Sequence, residues 1–405
     1  MRMRIKDFTT KVGSGVTPKG GATAYQDHGI PLFRSQNITN EGLLTDDIAY
    51  ISEDIHNSMS GSKLRPNDVL LNITGASIGR CYYLPEDFTE GNVNQHVCII
   101  RLKKNVLPAF LYYNLISATG QRLIDRCQTG ANREGLTKED LCNFEFEIPS
   151  IERQKGIVKY LNEKNSLITN QVSLLTSKRD AYLRLKKSII NRAVTKGLNP
   201  DVQMKDSGVD WIGMIPEGWK MKRMKECVSL IKGRTPGEMT FDVIGFPYLT
   251  MDYLRNREGK DVMYPLNPEG LLKVEDNEIL VLWDGANAGE FIFSKEGYLS
   301  STMAVIKCKR NTLIKKYLYY LLKVIEADSK YYANGTTIPH FDSKTIFTRE
   351  YPMPPLSEQQ AIAAYLDGKC SKIDTIVANL DKQISKYADL KRSLIDEVIT
   401  GKRAV

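Results

Sequence analysis

Residues 149–198 read PSIERQKGIVKYLNEKNSLITNQVSLLTSKRDAYLRLKKSIINRAVTKGL, and residues 354–403 read PPLSEQQAIAAYLDGKCSKIDTIVANLDKQISKYADLKRSLIDEVITGKR. The two segments align without a gap at a constant offset of 205 residues. Among the identical pairs are the prolines Pro149 and Pro354 and the glutamines Gln154 and Gln359. A repeat spacing of this size indicates two structural units rather than a solenoid, whose repeats are about 20 to 50 residues long.

Each copy has the sequence pattern of one long helix. An apolar residue recurs at every seventh position, as in the seam of a coiled coil. The seam residues are Leu161, Ile168, Leu175, Tyr182 and Ile189 in the first copy and Leu366, Ile373, Leu380, Tyr387 and Leu394 in the second. Gly197 and Gly401 stand where helix ends are expected. Matched length and phase predict that the two helices pair with each other, and the alternative is two amphipathic helices packed on separate cores.

The segments before the two helices repeat more faintly. The glycine loop 75–79 matches 285–289 at an offset of 210, and Thr17-Pro18 parallels Thr235-Pro236. Short apolar runs bounded by glycine, proline and asparagine predict strands at 68–73, 97–100 and 278–283, with short helices at 108–115 and 315–325. Each half is therefore predicted to contain an α+β domain of about 145 residues, which is large enough for its own core.

These patterns predict four parts in the chain. A first globular domain spans 1–147 and a central long helix spans 148–198. A linker and a second globular domain span 199–352, and a C-terminal long helix spans 353–405. The offset between the halves drifts only in the globular parts, so insertions and deletions are confined to them.

Composition excludes several classes of protein. The chain of 405 residues is 42% hydrophobic and has no apolar run of the length that a membrane span requires. Its first residues lack the apolar core of a signal peptide, which predicts a cytoplasmic protein. The seven cysteines include no close pair, which predicts reduced thiols. The cysteines and the four histidines have no metal-ligand spacing, so no metal site is expected.

The net charge of +8 is concentrated in the first helix, which has eleven basic and three acidic side chains. Such a surface attracts a polyanion by counterion release. A solvated coiled-coil exterior and a seat for an acidic partner are the alternatives, and the second helix is nearly balanced in charge. Charge therefore does not establish nucleic-acid binding by itself.

The sequence contains no recognised catalytic motif. It has no glycine-rich phosphate loop followed by Lys-Ser or Lys-Thr, and no Gly-x-Ser-x-Gly nucleophile turn. The Asn-Pro-Pro-Tyr or Asp-Pro-Pro-Tyr tetrad of amino-methylating enzymes is also missing, because the only Pro-Pro, Pro354-Pro355, follows Met353 and precedes Leu356. This Pro-Pro opens a helix. A non-catalytic protein is therefore predicted.

Two kinds of motif carry a resemblance to a known family. Residues 206–219, DSGVDWIGMIPEGW, resemble the signature that introduces a target-recognition domain in specificity subunits of type I restriction-modification systems. The helix entries at 148–154 and 353–360 are similar to the Pro-Pro-Leu-x-Glu-Gln entry of that family, although Ser150 replaces the second proline in the first copy. The first half also lacks the Trp-Ile-Gly signature. The resemblance extends over nearly the whole chain.

The resemblance implies an architecture and a function. Two target-recognition domains in a pseudo-two-fold arrangement, separated by two long helices that form an antiparallel coiled coil, would each read one half of a bipartite, asymmetric DNA target. Two methyltransferase (M) subunits and the restriction/translocase (R) subunits would be the protein partners. S-adenosylmethionine and ATP would be bound only by those partners, and the chain itself would need no cofactor.

The base-reading side chains are predicted from residue chemistry at the loops that the halves share. Arginine suits guanine, glutamine and asparagine suit adenine, and aspartate accepts from cytosine N4. For each position an internal structural role is the alternative, and Arg34 in particular could pair internally. The candidates are Arg34, Gln36, Asn37, Arg80, Asn94, Gln95, Arg133, Thr250, Asp252, Asn287, Ser301 and Thr336.

Two other functions compete with DNA recognition. A coiled-coil scaffold that binds proteins without reading DNA would not need the family signatures. A methyltransferase or nuclease fragment is disfavoured by the missing catalytic motifs.

Overall fold

The computed structural model describes residues 1–128, 135–255, 262–309, 313–331 and 339–405. By internal contacts the chain forms two compact units. The first unit is Met1–Thr176 with Lys382–Val405, and the second unit is Ser177–Asp381. The boundaries of both units lie within the long helices, so each unit holds one globular body and one segment of each helix.

The two long helices span Ile151–Lys196 and Leu356–Ile399 and are called here the first and second long helix. The prediction of two long helices is therefore confirmed. Each begins shortly after the proline turn and ends just before a glycine, Gly197 or Gly401, with a φ of 73°. A left-handed glycine at this position ends a helix at little cost, because it has no Cβ to clash with the preceding turn.

In the first unit, antiparallel strands form a sheet in the order Thr9–Ser14, Val97–Leu102, Val69–Asn72, Cys81–Tyr83. A second sheet has the order Ala49–Ile51, Ile30–Phe33, Asn92–Val93, and Arg2–Arg4 pairs with Glu145–Glu147. The short helices are Glu53–Ser58, Pro108–Ile116, Ala118–Gln128 and Lys138–Cys142, and 3-10 turns lie at Ile5–Asp7, Gly21–Ala24, Ser35–Asn37, Ser60–Ser62 and Gly75–Ser77.

The second unit repeats the strand order of the main sheet, whereas its second sheet adds the third strand on the other side of the shared parallel pair. Its main sheet has the order Val228–Lys232, Met303–Cys308, Ile279–Leu282, Phe291–Phe293, and its second sheet the order Tyr248–Leu249, Gly297–Leu299, Lys273–Val274. The remaining strand pairs are Lys220–Arg223 with Glu350–Met353, Met204–Asp206 with Met214–Pro216, and Met239–Thr240 with Tyr264–Pro265. The helices are Met224–Cys227, Met251–Arg255, Lys315–Tyr331 and Ser343–Thr348. The predicted α+β class is confirmed.

Within the second unit the long-helix segments run antiparallel. Lys186 Nζ lies 2.6 Å from Asp374 Oδ1, and Arg179 Nη1 lies 3.3 Å from Asp381 Oδ1. A step of seven residues back along the first long helix is thus a step of seven forward along the second. In the first unit, residues near the start of the first long helix share a core with residues near the end of the second, which is also an antiparallel arrangement.

The seam residues differ in burial. Seven are buried: Leu161, Ile168, Leu175, Leu366, Ile373, Leu380 and Leu394. Tyr182, Ile189 and Tyr387 are partly exposed. Each seam continues into the core of a globular body, since Leu161 and Ile168 pack in the first unit and Leu366 packs in the second.

A buried glutamine connects each long helix to the globular body before it. Gln154 is fully buried, its Oε1 accepts from Leu107 N at 2.9 Å, and its Nε2 donates to the carbonyls of Asn105 and Pro149 at 3.0 Å. Gln359 repeats the contact, with Oε1 accepting from Ile314 N at 2.8 Å and Nε2 donating to the carbonyl of Pro354 at 2.9 Å. The repeated Pro…Gln spacing at the helix entries is therefore explained by hydrogen bonding.

The signature segment 206–219 closes the core of the second unit. Trp219 is fully buried, and its Nε1 donates to Glu358 Oε2 at 2.8 Å, next to the buried Gln359.

Within the described residues, no helix combines the length and the apolar character needed to cross a bilayer.

Candidate nucleic-acid interface

A glycine loop follows the central strand of the main sheet in each unit. The loop glycines have positive φ in both: 70° at Gly75 and 85° at Gly79, and 109° at Gly285 and 86° at Gly289. Side chains with a Cβ rarely adopt this conformation. The shared loop geometry lets the flanking residues differ while the backbone is kept.

In the first unit this loop lines an open cleft of about 650 Å³. The lining residues are Ser35, Gln36, Thr74, Gly75, Ala76, Ser77, Arg80 and His96. The structure thus brings together two predicted residues, Gln36 and Arg80, from separate loops. Thr74, Ser77 and His96 were not predicted, although all three lie within two residues of a predicted loop or position.

Arg80 and Gln36 present different groups in this cleft. Arg80 is exposed, and no ion pair of its guanidinium is found among the described residues. Gln36 is also exposed, but its Nε2 donates to Asp47 Oδ2 at 2.6 Å. Its remaining amide hydrogen and its Oε1 are left for a ligand.

Arg34 and Asn37 have internal partners. The Arg34 guanidinium donates to the carbonyl of Asp47 at 2.8 Å, lies 3.3 Å from Asp47 Oδ2, and is 5.8 Å from the ring centre of Tyr25. Asn37 is 1% exposed, and its amide bonds the backbone of Arg34, Leu44 and Asp47. The contacts of Arg34 are those of an internal structural role, and Asn37 holds the loop closed.

Asn94 and Gln95 directly precede His96, which lines the same cleft. Asn94 is 7% exposed, and its Oδ1 accepts from His96 N at 3.1 Å. Gln95 is exposed, its Oε1 accepts from the Thr17 hydroxyl, and its Nε2 lies 3.0 Å from His96 Nε2. The other ring nitrogen of His96, Nδ1, lies 2.5 Å from Thr74 Oγ1. Gln95 therefore belongs to a chain of polar contacts that leads into the cleft.

The predicted residues of the second unit lie on equivalent loops. Thr250 Oγ1 accepts from Tyr253 N at 3.2 Å at the start of the helix that carries the exposed Asp252. Asn287 is exposed in the glycine loop. Ser301 Oγ accepts from the Thr235 hydroxyl at 2.8 Å.

A charged cluster in the second unit was not predicted. Asp284 precedes the glycine loop, with Oδ1 2.5 Å from His340 Nδ1 and Oδ2 3.2 Å from Lys232 Nζ. The Lys232 ammonium also lies 5.2 Å from the ring centre of Trp283. In the first unit, the uncharged Thr74 holds the position of Asp284. This difference between the halves can be read from the sequence alone, because Thr74 and Asp284 directly precede the aligned glycines Gly75 and Gly285.

Two predicted residues, Arg133 and Thr336, lie outside the described residues. Among the residues that the structure describes, no group of three or more histidine, cysteine, aspartate or glutamate side chains is placed to hold a metal ion.

Comparison with known proteins gives concordant matches. The sequence profile of the family described as the type I restriction modification DNA specificity domain matches residues 1–174 and again residues 216–386. The type I restriction enzyme MjaVIII specificity subunit of Methanocaldococcus jannaschii is 36% identical over 188 residues, which are 46% of this chain and 43% of that subunit. The chain thus matches less than half the length of this relative.

A second relative aligns over nearly the full length. The putative type I restriction enzyme MjaX specificity subunit of the same organism is 22% identical over 411 residues, covering 98% of this chain and 92% of that subunit. One solved structure is described as showing the structural basis underlying complex assembly and conformational transition of the type I R-M system. A chain in it aligns with 98% of this chain, with a TM-score of 0.73 at 16% identity. This likeness concerns the fold.

Proposed function

Because the chain belongs to the type I restriction modification DNA specificity domain family, we propose that it is the specificity subunit of such a system and reads a bipartite, asymmetric DNA target. Each compact unit reads one half-site. The antiparallel helices set the spacer between the half-sites. The chain performs no catalysis and acts in the cytoplasm.

One observation carries this proposal: the two bodies keep the same backbone frame and differ in the polar groups at one edge of it. Both have the main sheet and the glycine loop with two left-handed glycines. The first unit presents an exposed arginine, Arg80, whereas the second presents Asp284 paired with His340 and Lys232. Unlike edges on a common frame are what an asymmetric target requires.

The predicted residues divide by role under this proposal. Arg80, Gln36 and Gln95 in the first unit, with Asp252, Asn287 and Ser301 in the second, are proposed to contact DNA. Arg34, Asn37, Asn94 and Thr250 are proposed to shape the loops, because their polar atoms are used internally. Arg133 and Thr336 stay predictions.

The protein partners follow from the same proposal. Two M subunits bind this chain, R subunits complete the complex, and S-adenosylmethionine and ATP are bound by those partners. The chain lacks the catalytic motifs that methyl transfer or ATP-driven translocation would need.

Co-expression with the M partner in a methylation-free host tests the proposal. Single-molecule methylome sequencing should reveal one bipartite motif with unlike halves and a fixed spacer. The M partner without this chain is the control and should leave the genome unmodified. If the co-expressed pair produced no motif while this chain still bound the partner, a protein scaffold without DNA readout would be the better assignment.

A further inference from the structure

Near one end of each main sheet a threonine hydroxyl contacts one polar side chain, and this contact is called here the clamp. In the first unit the Thr17 hydroxyl donates to Gln95, and in the second the Thr235 hydroxyl donates to Ser301. Both threonines precede a proline, and both partners lie two residues before a main-sheet strand.

The backbone register shows that these positions are equivalent. Gly15 N bonds Val97 O and Ile73 N bonds His96 O in the first unit, as Gly233 N bonds Met303 O and Trp283 N bonds Thr302 O in the second. Gln95 therefore corresponds to Ser301 and Thr17 to Thr235. The clamp is formed by a threonine in both units, whereas the residue it contacts is glutamine in the first unit and serine in the second.

The structure assigns to Gln95 the reading of an adenine in the half-site of the first unit, with His96 and Thr17 as its positioning residues. This inference rests on the proposed function and deepens it. At this position the backbone and the threonine are the same in both units, whereas the side chain that the threonine contacts differs. Such a difference is expected of a residue that determines specificity.

The hydrogen-bonding groups of Gln95 that remain unused match one base. A glutamine amide has two donor hydrogens and two acceptor lone pairs. Thr17 occupies one lone pair of Oε1, and the Nε2 to Nε2 contact of 3.0 Å uses one hydrogen, because an amide nitrogen can only donate. One donor and one acceptor remain. Adenine N7 and N6–H₂ in the major groove need this pair.

The contact with Gln95 also sets the tautomer of His96. Since its Nε2 accepts from Gln95, the ring proton lies on Nδ1 and is donated to Thr74 Oγ1 at 2.5 Å. Thr74 lines the cleft, and its own hydroxyl hydrogen is then free to donate into the cleft. His96 thus orients Gln95 on one side and Thr74 on the other without itself contacting the base.

The test uses the complex of the full chain with its M partner and a randomised duplex library, with sequencing of the bound fraction. Gln95→Ala should reduce discrimination at a single adenine column of one half-site by about 10-fold and leave the other columns unchanged. Ser301→Ala is the matched control and should alter only the other half-site. Gln95→Glu, which keeps the shape but loses both donors, should move the same column from adenine toward cytosine.

Base and positioning variants make the test specific. Replacing that adenine with 7-deazaadenine should weaken binding of the wild type by about 10-fold but should not weaken binding of the Gln95→Ala variant further. Thr17→Val and His96→Leu should relax the same column, and Thr17→Ser, which retains the hydroxyl, should preserve it.

Two outcomes would overturn the inference. A uniform loss of affinity across all columns would assign Gln95 to the phosphate backbone, and an unchanged adenine column would remove it from readout. In both cases the wild type would still enrich a bipartite motif. Failure of the wild type to enrich any motif would instead refute the proposed function.

Discussion

At the scale of single residues, the buried glutamines at the helix entries account for a repeated motif. Gln359 is 1% exposed and bonded on both sides of its amide, whereas the adjacent Gln360 is exposed. Removing the Gln359 amide leaves the N–H of Ile314 and the buried carbonyl of Pro354 without this partner. The Gln360 amide faces water.

Gln359→Ala is therefore expected to lower the free energy of unfolding by about 2 to 4 kcal/mol, and Gln360→Ala to change it by less than about 0.5 kcal/mol. Urea unfolding followed by tryptophan fluorescence measures this effect, because Trp211, Trp219 and Trp283 all lie in the second unit. Equal midpoints for the two variants would contradict the role given to Gln359.

The close approach of two backbone segments explains why glycine is required at a further position. A Cβ on Gly233 would lie 2.2 Å from Ser300 O, and one on Gly15 would lie 2.0 Å from Val93 O, so both units need glycine where the edge strand passes the clamped loop. Nothing lies within 4 Å of a Cβ built on Gly237.

We expect Gly233→Ala to destabilise the second unit by more than about 2 kcal/mol and Gly237→Ala to be nearly neutral. The same fluorescence-detected unfolding compares them. Wild-type stability of Gly233→Ala would show that the two backbones can move apart at little cost.

Residue chemistry alone predicted part of the cleft. Gln36 and Arg80 were predicted to contact DNA and lie together in the cleft, and Gln95, also predicted, contacts His96, which lines it. Asn37 and Asn94 have the same side-chain chemistry but are buried, and only three-dimensional packing separates the two groups. The Thr17–Gln95 contact joins residues 78 positions apart, so no local pattern reports it.

At the scale of elements, the heptad pattern predicted the long helices because five consecutive apolar positions leave one continuous stripe to bury. The observed ends, Ile151–Lys196 and Leu356–Ile399, fall within three residues of the glycines and prolines that mark them in the sequence. The helix from Lys315 runs on to Tyr331, beyond the predicted 325, and Ser329 in this added part is fully buried.

The ion pairs between the long helices test their antiparallel register in the second unit. Lys186 and Asp374 are 27% and 56% exposed, so solvent screens their attraction and the pair contributes at most about 1 kcal/mol. Lys186→Asp should lower the urea midpoint slightly, since it places two carboxylates together. The double exchange Lys186→Asp with Asp374→Lys should restore it.

Salt provides the control for this exchange. The difference between the single and the double variant should shrink in 1 M salt, where the screening length is about 3 Å. A double variant no more stable than the single one at low salt would contradict the observed pairing of these residues.

At the scale of the whole molecule, the proposed role of the helices as a spacer makes a quantitative prediction. Seven residues inserted after Thr176 and seven after Asp381 keep the heptad phase and add about 10 Å of helix. Under the proposed function the spacer of the recognised motif should lengthen by about three base pairs, at about 3.4 Å each.

Methylome sequencing of a host that carries the lengthened chain and its M partner measures the spacer directly. An insertion in the first long helix alone is the control and should abolish the motif, because it shifts one seam against the other. A lengthened chain that still methylated with the original spacer would refute the role of the helices as a ruler.

The division of the chain also orders its synthesis and folding. The second unit, Ser177–Asp381, is continuous in sequence, whereas the first unit needs Lys382–Val405 in addition to Met1–Thr176. These residues supply Leu394, Ile395 and Val398 to its core and are synthesised after the whole second unit. Part of the core of the nascent first unit therefore stays uncovered until the second unit has been synthesised, and this interval is when a chaperone would protect it.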